Sequence, residues 1–429
     1  MKFPFLTAIL GVGLLLTATF AQTTDADPDS SPADLLRIAA LNGDANAQFE
    51  LANQYYRGEG RILNYSIAAH WFRRAARHNH PGALFNLALC YEMGLGVNRS
   101  KYQAFHYYRQ AAAVGVREAR FNLALCYISG VDAENHDGDR TPAILPDTVQ
   151  AEELLKTLAQ EGFTPAMREL AGIYLDRPTD QRNPEETRQA FQLLLKGAES
   201  GDCASMRRLA DCYYGGWGCK QSSSKMIEWL EKATARNDAE AAAKLAFCYE
   251  SGTGVTPDPE KSFKYFAEAA KGGQSMAQYK MAEYCAAGIY TEIDIPQSLE
   301  WLKKSASAGN HFALFKLGVY AAEGIGMAEN RKMAAELFYE AAKLGNVHAQ
   351  FNIALYFQKG EYLPPDAGAA FFWFKRAAEA GDNRAQFHLA LCYMKGTGTP
   401  KDEAKAFEWL KKSAENGNVE ALSLLAVPR

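Results

Sequence analysis

One serine and one lysine in the sequence have the spacing of a known nucleophile and its neighbour. Ser222-Ser223-Ser224-Lys225 fits S-x-x-K, which places a nucleophilic serine beside a lysine in penicillin-recognising enzymes. The S-D-N and K-T-G motifs of those enzymes are absent from the 429 residues, as are G-x-S-x-G, H-E-x-x-H and G-x-x-x-x-G-K-S/T. We therefore predict no catalytic residues and no enzymatic activity, and we keep a β-lactam-binding or hydrolysing protein as an alternative.

Residues that could bind a metal are scattered along the chain. His78 and His80 are the only close pair among the eight histidines, and no third ligand follows at a suitable spacing. The eight cysteines include no C-x-x-C pair. When Asp137-Gly138 is aligned with a calcium-binding loop, Ala133 occupies the first ligand position. We predict no metal site and no cofactor, and we interpret the acidic segment 131–148 as an irregular surface insertion.

Cations at a constant spacing indicate a different chemistry, the recognition of a partner. Four of them are 36 residues apart: Arg208, Lys244, Lys280 and Lys316. Polar residues occupy the same place in other units of the repeat described below: Asn86, Asn122, Asn352 and His388. A row of cations would hold an acidic protein or peptide segment, and asparagine can both donate to and accept from its backbone. The alternative is that these are ordinary solvated residues on a helix surface.

Aromatic residues supply two further candidates. Trp217 lies within Gly216-Trp217-Gly218, outside the position that the other five tryptophans share, and an exposed indole on a turn could anchor a partner. An aromatic row also precedes the polar positions: Phe49, Phe85, Phe121, Tyr279, Phe315, Phe351 and Phe387. We interpret this row as packing between helices, with a peptide-binding groove as the alternative.

All these residues belong to one repeated unit. Ten units begin at Ala47, Ala83, Ala119, Ala166, Ser205, Ala241, Ala277, Ala313, Ala349 and Ala385. Seven of the nine intervals are 36 residues, and the other two are 47 and 39. A large aliphatic residue follows four positions after each start, and glycine follows eleven positions after the start in nine units. The pattern predicts a helix, a turn and a second helix, with left-handed Gly, or Asn at Asn79 and Asn237, after the helices.

A single helix pair cannot bury its own apolar face, so neighbouring pairs must stack. We predict an all-α protein, a right-handed α/α superhelix (solenoid) of about ten 36-residue helix-turn-helix repeats. Half-repeat caps are expected at both ends, since Leu35–Gly43 matches only a second helix and Ala421–Ala426 only a first helix.

The layout resembles the Sel-one-like repeat family, which is related to the tetratricopeptide repeats. Gly94-Leu95-Gly96-Val97 and Gly252-Thr253-Gly254-Val255 match its loop signature, whereas Asp132 and Thr179 replace the second loop glycine in two units. The resemblance implies a scaffold or adaptor whose first helices line a concave groove for partner proteins. Some secreted bacterial members have a regular cysteine pair in each repeat, and some of these bind β-lactams. This sequence lacks that pairing.

Five cysteines recur at one place in the repeat: Cys90, Cys126, Cys212, Cys248 and Cys392. We interpret them as small buried hydrophobic residues. Equivalent residues of adjacent repeats would lie ~9 Å apart, beyond the ~7 Å between Cα atoms that a disulfide can span. Cys203 and Cys219 lie outside this pattern at opposite ends of one predicted helix, and we do not expect them to meet.

The first residues have the features of a secretory signal peptide. Lys2 precedes the apolar run Leu6–Leu16, and Thr19-Phe20-Ala21 offers small residues for cleavage after Ala21. We predict a signal peptide at 1–21, a flexible linker at 22–32 and the solenoid at 33–429. A secreted, periplasmic protein is favoured. The alternative is a eukaryotic endoplasmic-reticulum adaptor, in which Asn64 and Asn98 would be glycosylation acceptors.

Charge and hydropathy limit the classes of partner. The net charge of −4 argues against a nucleic-acid binder, which usually carries a basic excess. No later segment approaches the roughly 18 apolar residues of a membrane helix, so we expect no membrane insertion. We expect a monomer with a protein partner.

Overall fold

The computed structural model describes residues 32–132, 134–136, 139–141, 143–178 and 181–426. The predicted signal peptide at 1–21 and the linker up to residue 31 lie outside the described residues. The chain divides into two compact units, Met1–Leu193 and Leu194–Arg429. The division falls inside one helix, α9 (Pro184–Glu199).

The first unit contains eight complete helices in chain order: α1 (Pro32–Leu41), α2 (Ala45–Arg57), α3 (Tyr65–Ala76), α4 (Pro81–Met93), α5 (Lys101–Ala113), α6 (Arg117–Ser129), α7 (Thr148–Gln160) and α8 (Thr164–Leu175). The second unit contains thirteen: α10 (Cys203–Gly215), α11 (Ser223–Thr234), α12 (Ala239–Ser251), α13 (Pro259–Lys271), α14 (Ser275–Ala287), α15 (Ile295–Ser307), α16 (His311–Glu323), α17 (Arg331–Lys343), α18 (Val347–Lys359), α19 (Ala367–Glu379), α20 (Asn383–Lys395), α21 (Glu403–Glu415) and α22 (Val419–Ala426). The even-numbered helices are the first helices of the repeats, and the odd-numbered helices are the second helices. The predicted all-α solenoid of helix-turn-helix repeats is confirmed.

The helix ends explain why polar residues and glycine recur between the repeats. At the start of α12 the Asp238 carboxylate accepts a hydrogen bond from the Ala241 amide at 2.8 Å, which satisfies a donor that the helix leaves unpaired. After the helix, Gly252 has φ 75°, a left-handed conformation that ends it. Asn79 (φ 57°) and Asn237 (φ 61°) adopt the same conformation, as their positions predicted.

Aromatic and amide side chains join successive helices. Phe338 on α17 packs against Phe315 on α16 and Tyr356 on α18, with ring centroids 5.4 and 6.2 Å apart. On α18 the buried Gln350 donates from Nε2 to the Ala342 carbonyl at the end of α17, at 3.2 Å. The second helix α17 therefore packs between two first helices, and the helix that follows adds a hydrogen bond to its carbonyl end.

The five tryptophans at the shared position lie on the second helices. Trp301 of α15 packs against the apolar clusters on both of its sides, so it links consecutive repeats. A cation three residues later lies over each of these rings, at 4.1–5.9 Å from its centroid: Arg74 over Trp71, Lys232 over Trp229, Lys304 over Trp301, Arg376 over Trp373 and Lys412 over Trp409. Cation–π contacts contribute about 0.5–1 kcal/mol each where the cation stays in contact with solvent.

The insertion between α6 and α7 is more regular than the sequence indicated. Two short antiparallel strands, β1 (Glu134–His136) and β2 (Asp139–Thr141), form a ribbon within it. Val131 and Ile144 close its base through paired backbone hydrogen bonds of 2.8 Å. No helix among the described residues is long and apolar enough to cross a membrane.

Candidate partner-binding site

The first helices of neighbouring repeats touch through their exposed side chains. We number each repeat from its starting alanine or serine, so that Lys244 is residue 4 of its repeat and Asp211 is residue 7 of the preceding repeat. Lys244 Nζ lies 2.6 and 2.8 Å from the two carboxylate oxygens of Asp211. In the first unit, Asn86 Nδ2 donates to Asn53 Oδ1 at 3.3 Å with the same register. We call residues 4, 7 and 11 of the first helices the first-helix face.

The four predicted cations differ in their surroundings. Lys244 is paired with Asp211, as described above. Lys280 Nζ lies 3.2 Å from Glu250 Oε1 on α12, so this cation also has a carboxylate partner within the protein. Arg208 is half-buried on α10. A partner that approached Lys244 or Lys280 would have to compete with these carboxylates.

Lys316 has a different environment. Its Nζ lies 5.7 Å from the centroid of the Tyr320 ring, one helical turn further along α16. Among the described residues no carboxylate lies within 4.0 Å of it, which distinguishes it from Lys244 and Lys280. Lys316 is half-buried, and within the described part of the chain its charge is not neutralised by a carboxylate as those of Lys244 and Lys280 are.

The predicted asparagines of the first unit are engaged by their own neighbours. Asn86 contacts Asn53, and Asn122 forms a hydrogen bond with the buried Tyr108 hydroxyl. Tyr108 donates to Glu92. Burial and the adjacent Glu92 carboxylate raise the pKa of Tyr108, so the hydroxyl keeps its proton and the network holds α4, α5 and α6 together.

Asn352 lies on the wall of an open depression between α16 and α18. The depression has a volume of about 270 Å³, and its lining is mostly apolar. Val319 and Ala322 form one wall, Leu355 and Tyr356 the other, with Phe338 between them. Glu323 and Lys359 border the opposite end. A largely apolar concavity with a few polar groups at its rim is the usual form of a recognition site.

His388 lies inside an aromatic cluster. Its ring stacks on Phe374 at 4.8 Å and meets Phe351 edge-on at 5.6 Å. Burial lowers the pKa of His388, although the Glu420 and Asp382 carboxylates act in the opposite direction. Its buried Nδ1 has no hydrogen-bond partner among the described residues. The arrangement favours a neutral ring that packs the helices.

Trp217 is less exposed than its turn suggested. Its side chain folds back over Gly215, where an added Cβ would lie 2.6 Å from the indole Nε1. The residue is 36% exposed. Part of the indole therefore covers the end of α10, and the rest faces solvent.

The predicted packing role of the aromatic row is confirmed in several repeats. Its members contact aromatic residues of the second helices, with centroids 5.4–6.0 Å apart: Phe49 with Phe72, Phe85 with Tyr108, Phe315 with Phe338, and Phe351 with Phe374. The row thus forms the contact between the two helices of a repeat.

The S-x-x-K and histidine motifs have structural roles at helix starts. Ser222 Oγ accepts a hydrogen bond from the Lys225 backbone amide at 3.4 Å and caps α11, while the Lys225 ammonium lies over the Tyr213 ring. His80 Nδ1 accepts from the Ala83 amide and caps α4. Within the described ranges, no group of three or more His, Cys, Asp or Glu residues is placed to hold a metal ion.

The cysteines of the repeat are free thiols, and most are buried, as predicted. Burial raises the pKa of Cys90, Cys126 and Cys212 to about 12. Cys126 is an exception in exposure, since it is only half-buried. Cys203 and Cys219 are also free.

Two sets of polar contacts between helices were not found from the sequence. The acidic partners of two cations lie in the preceding repeat, Asp211 33 residues before Lys244 and Glu250 30 residues before Lys280. The buried glutamines at residue 2 of several repeats, such as Gln350 and Gln386, bond to the preceding helix. Both the acidic residues and the glutamines occur at fixed positions of the repeat, so aligning the polar residues of all repeats would have identified them as candidates.

Comparison with known proteins identifies the repeat. A family model of the Sel1 repeat matches nine segments: 45–80, 81–116, 164–202, 203–238, 239–274, 275–310, 311–346, 347–382 and 383–418. The matched segments omit 117–163, the repeat that contains the insertion.

Two solved structures are similar over most of their length. One is a protective antigen present in uropathogenic Escherichia coli strains that displays an SLR fold. It is 26% identical with a TM-score of 0.52, and the match covers 92% of this chain and 89% of that one. The other is a Sel1 repeat protein from Oxalobacter formigenes, 28% identical with a TM-score of 0.50, covering 75% of this chain and 88% of that one. The chain belongs to the Sel1 repeat family.

Proposed function

We propose that the protein is a secreted, non-enzymatic scaffold that binds a segment of a partner protein on the first-helix face of the second unit. Sel1 repeat proteins generally mediate protein–protein interaction, and the family is typically non-enzymatic. Ser222 and His80, two of the residues with possible catalytic or metal-binding chemistry, cap helices instead.

The observation that supports this proposal most directly is the surface formed by α16 and α18. There Asn352 lies on the wall of an apolar depression, and Lys316 of α16 has no carboxylate within 4.0 Å among the described residues. A polar group beside a shallow apolar surface provides both orientation and burial to a bound segment. Arg208, Lys244 and Lys280 extend the positive row, although Lys244 and Lys280 are partly neutralised by their own carboxylates.

We further propose that the scaffold acts as a monomer in the periplasm, after cleavage behind Ala21. The apolar run Leu6–Leu16 and the small residues at Thr19 and Ala21 support secretion. Mass spectrometry of the protein from its native host should give Gln22 as the first residue. An N-terminus at Met1 in the soluble cell interior would contradict the proposed location.

Affinity capture from the host envelope fraction tests the binding face. In one variant, four first-helix cations become glutamate: Arg208, Lys244, Lys280 and Lys316. In the matched control, four exposed second-helix lysines become glutamate: Lys264, Lys303, Lys375 and Lys411. Both variants change the net charge equally. We expect the first variant to lose the partner and the control to retain it, with little change in either melting temperature.

Retention of the partner by the first-helix variant would contradict the proposal. Loss of the partner from the control alone would place the interaction on the second helices. Because a glutamate introduced in place of Lys244 would face the Asp211 carboxylate, the melting temperature of each variant must be recorded alongside capture, so that unfolding is recognised.

A further inference from the structure

The loop after α10 brings two cysteines close together. Cys219 lies in this loop, and its Sγ donates to the Cys212 carbonyl oxygen at 3.6 Å. The backbone amides of Gly216 and Trp217 donate to the same oxygen, so the loop folds back over the end of α10. Because a carbonyl oxygen lies about 2.4 Å from its own Cα, Cys219 Sγ lies within about 6 Å of Cys212 Cα.

Side chains at the same two positions pack together in other repeats. Cys212 is residue 8 of its repeat and Cys219 is residue 15. In three other repeats, residues 8 and 15 contribute to one apolar cluster: Cys90 with Val97, Tyr320 with Met327, and Tyr356 with Leu363. The repeat geometry therefore directs the side chains at residues 8 and 15 into the same part of the core.

The repeat that begins at Ser205 differs from the others in having cysteine at both positions. Where residue 8 is Cys90 or Cys248, residue 15 is valine, Val97 or Val255. An apolar side chain at residue 15 is thus sufficient for packing beside a cysteine. Packing alone does not require the second thiol at Cys219.

The two thiols differ in their access to solvent. Cys212 is fully buried, and burial together with the neighbouring Cys219 thiol raises its pKa to about 12. Cys219 is half-buried. Burial raises the pKa of Cys219 as well, whereas the Lys225 ammonium acts in the opposite direction. Cys219 is therefore the thiol that a dissolved oxidant reaches first.

We infer that Cys212 and Cys219 form an intramolecular disulfide when the protein meets a disulfide oxidant. The free thiols described above are the reduced state of the protein. The bond closes a ring of eight residues around the Gly216-Trp217-Gly218 turn and ties α10 to the loop that leads to α11. This inference does not depend on the proposed scaffold function.

Glutathione disulfide is an oxidant of the required class. The Cys219 thiolate attacks one of its sulfurs, the S–S bond of glutathione disulfide breaks, and one glutathione thiolate leaves. The Cys212 thiolate then attacks the Cys219 sulfur of the mixed disulfide, and the second glutathione thiolate leaves. Two protein thiols are oxidised, one glutathione disulfide is reduced, and the two protons pass through solvent to glutathione. The second step is the slower one, because little Cys212 thiolate is present near neutral pH.

Mass spectrometry of the oxidised full chain tests the inference. The reduced protein is incubated with glutathione disulfide at about pH 8.5, treated with N-ethylmaleimide in urea and digested with trypsin. Both cysteines fall in one tryptic peptide, Leu209–Lys220. We expect this peptide to become lighter by two hydrogen atoms and to take up no N-ethylmaleimide. Without oxidation it should take up two N-ethylmaleimide groups.

Two variants serve as comparisons. Cys219→Val introduces the residue found at Val97 and Val255, so it should keep the fold and abolish the bridged peptide. Cys203→Ser is the matched control, because it removes the other half-buried cysteine of this repeat and should leave the bridge unchanged. Oxidation should raise the melting temperature of the wild-type protein and of Cys203→Ser, and should not raise that of Cys219→Val.

Two kinds of outcome would overturn the inference. A wild-type peptide that keeps both thiols, or that retains glutathione on Cys219, would show that the two sulfurs do not meet. A disulfide between Cys203 and Cys219, or loss of the bridge in Cys203→Ser, would give Cys219 a different partner. Neither outcome bears on the first-helix face, which the capture experiment above tests separately.

Discussion

Lys244 on α12 and Asp211 on α10 form an ion pair between adjacent first helices, with 2.6 Å between Lys244 Nζ and Asp211 Oδ1. The same register joins Asn86 to Asn53 in the first unit. Side chains at one level of the row are therefore partners of side chains one turn away in the preceding repeat. Lys316 has no such acidic partner among the described residues, so its charge is not neutralised as that of Lys244 is, although both occupy residue 4.

The Lys244–Asp211 pair should contribute little to stability, because both side chains are about 40% exposed, at 38% and 44%. A double-mutant cycle with Lys244→Gln and Asp211→Asn should give a coupling free energy of about 0–1 kcal/mol, decreasing as salt is added. Urea unfolding of the four proteins measures it. A coupling that is larger and independent of salt would show that the pair is more shielded from solvent than its exposure indicates.

In the Gly-x-Gly loop after a first helix, replacing the second glycine should cost most stability where the backbone of another helix lies close to it. Gly96 and Gly60 have φ of 70° and 69°, but an added Cβ would lie 2.2 Å from the Tyr65 backbone at Gly96 and in open space at Gly60. Gly60→Ala should cost about 1–2 kcal/mol from the backbone conformation alone. Gly96→Ala should cost about 2 kcal/mol more because of the clash. Equal losses in the free energy of unfolding would contradict this account.

The buried Gln386 should contribute to the free energy of unfolding through its hydrogen bonds as well as through its packing. Gln386 donates to the Ala378 carbonyl at 3.2 Å and accepts from Asn416 Nδ2 at 2.9 Å. Gln386→Leu should therefore cost about 1–3 kcal/mol, since it removes both hydrogen bonds of a buried amide, each with a net contribution of about 0.5–1.5 kcal/mol. The exposed Gln358 serves as the control, and Gln358→Leu should leave the free energy of unfolding nearly unchanged. A neutral Gln386→Leu would show that these two hydrogen bonds contribute no net stability.

The Asp382 carboxylate should make the free energy of unfolding decrease at low pH. Burial tends to raise its pKa, but hydrogen bonds from the Arg384 side chain and the Ala385 amide outweigh this, so the pKa lies below its ordinary value of 3.8. Its stabilising effect should be complete above pH 3.8 and lost as the pH falls below that value through the folded-state pKa. Asp382→Asn should reduce this acid-dependent loss in unfolding experiments at graded pH.

The preceding repeat already has asparagine at the position equivalent to Asp382. Asn346 occupies the equivalent cap and accepts from the Ala349 amide at 2.9 Å. Asp382→Asn should accordingly keep the helix start and change chiefly the pH dependence. An unaltered acid profile would show that other carboxylates dominate the loss of stability.

Thiol reactivity should separate the cysteines into two groups. Cys203 and Cys219 are half-exposed, whereas burial raises the pKa of Cys90 and Cys212 to about 12. Iodoacetamide at about pH 8 should modify Cys203 and Cys219 in the folded protein and the buried thiols only after unfolding. Peptide mass spectrometry over a time course measures the order. Early modification of Cys90 would indicate that the first unit opens locally.

The periodic part of the architecture could be predicted because it depends on short-range rules. Glycine or asparagine after each helix requires only the left-handed backbone that Asn79 and Asn237 adopt. The burial of alanine and leucine follows from a helical period repeated ten times. Both effects act within one repeat or between its immediate neighbours, so a single sequence contains the information.

The binding surface was harder to predict because it depends on pairs of side chains. Lys244 and Lys316 are both lysines at residue 4, so the sequence pattern does not distinguish them. Residue 7 of the preceding repeat is Asp211 for Lys244 and Glu283 for Lys316. Glu283 accepts from Tyr279 instead of from Lys316. The depression beside Asn352 likewise arises from Val319, Leu355 and Phe338 together, and no one of these residues signals it.

Site-specific photo-cross-linking measures the position of a bound partner most directly. A photoreactive phenylalanine analogue at position 355 would lie in the depression between α16 and α18, and one at position 339 would lie on the second helix α17, where Tyr339 is exposed. In the host envelope fraction, we expect the analogue at 355 to form a covalent adduct with a partner protein and the one at 339 to form none. Adducts from 339 alone would contradict the assignment of the first-helix face.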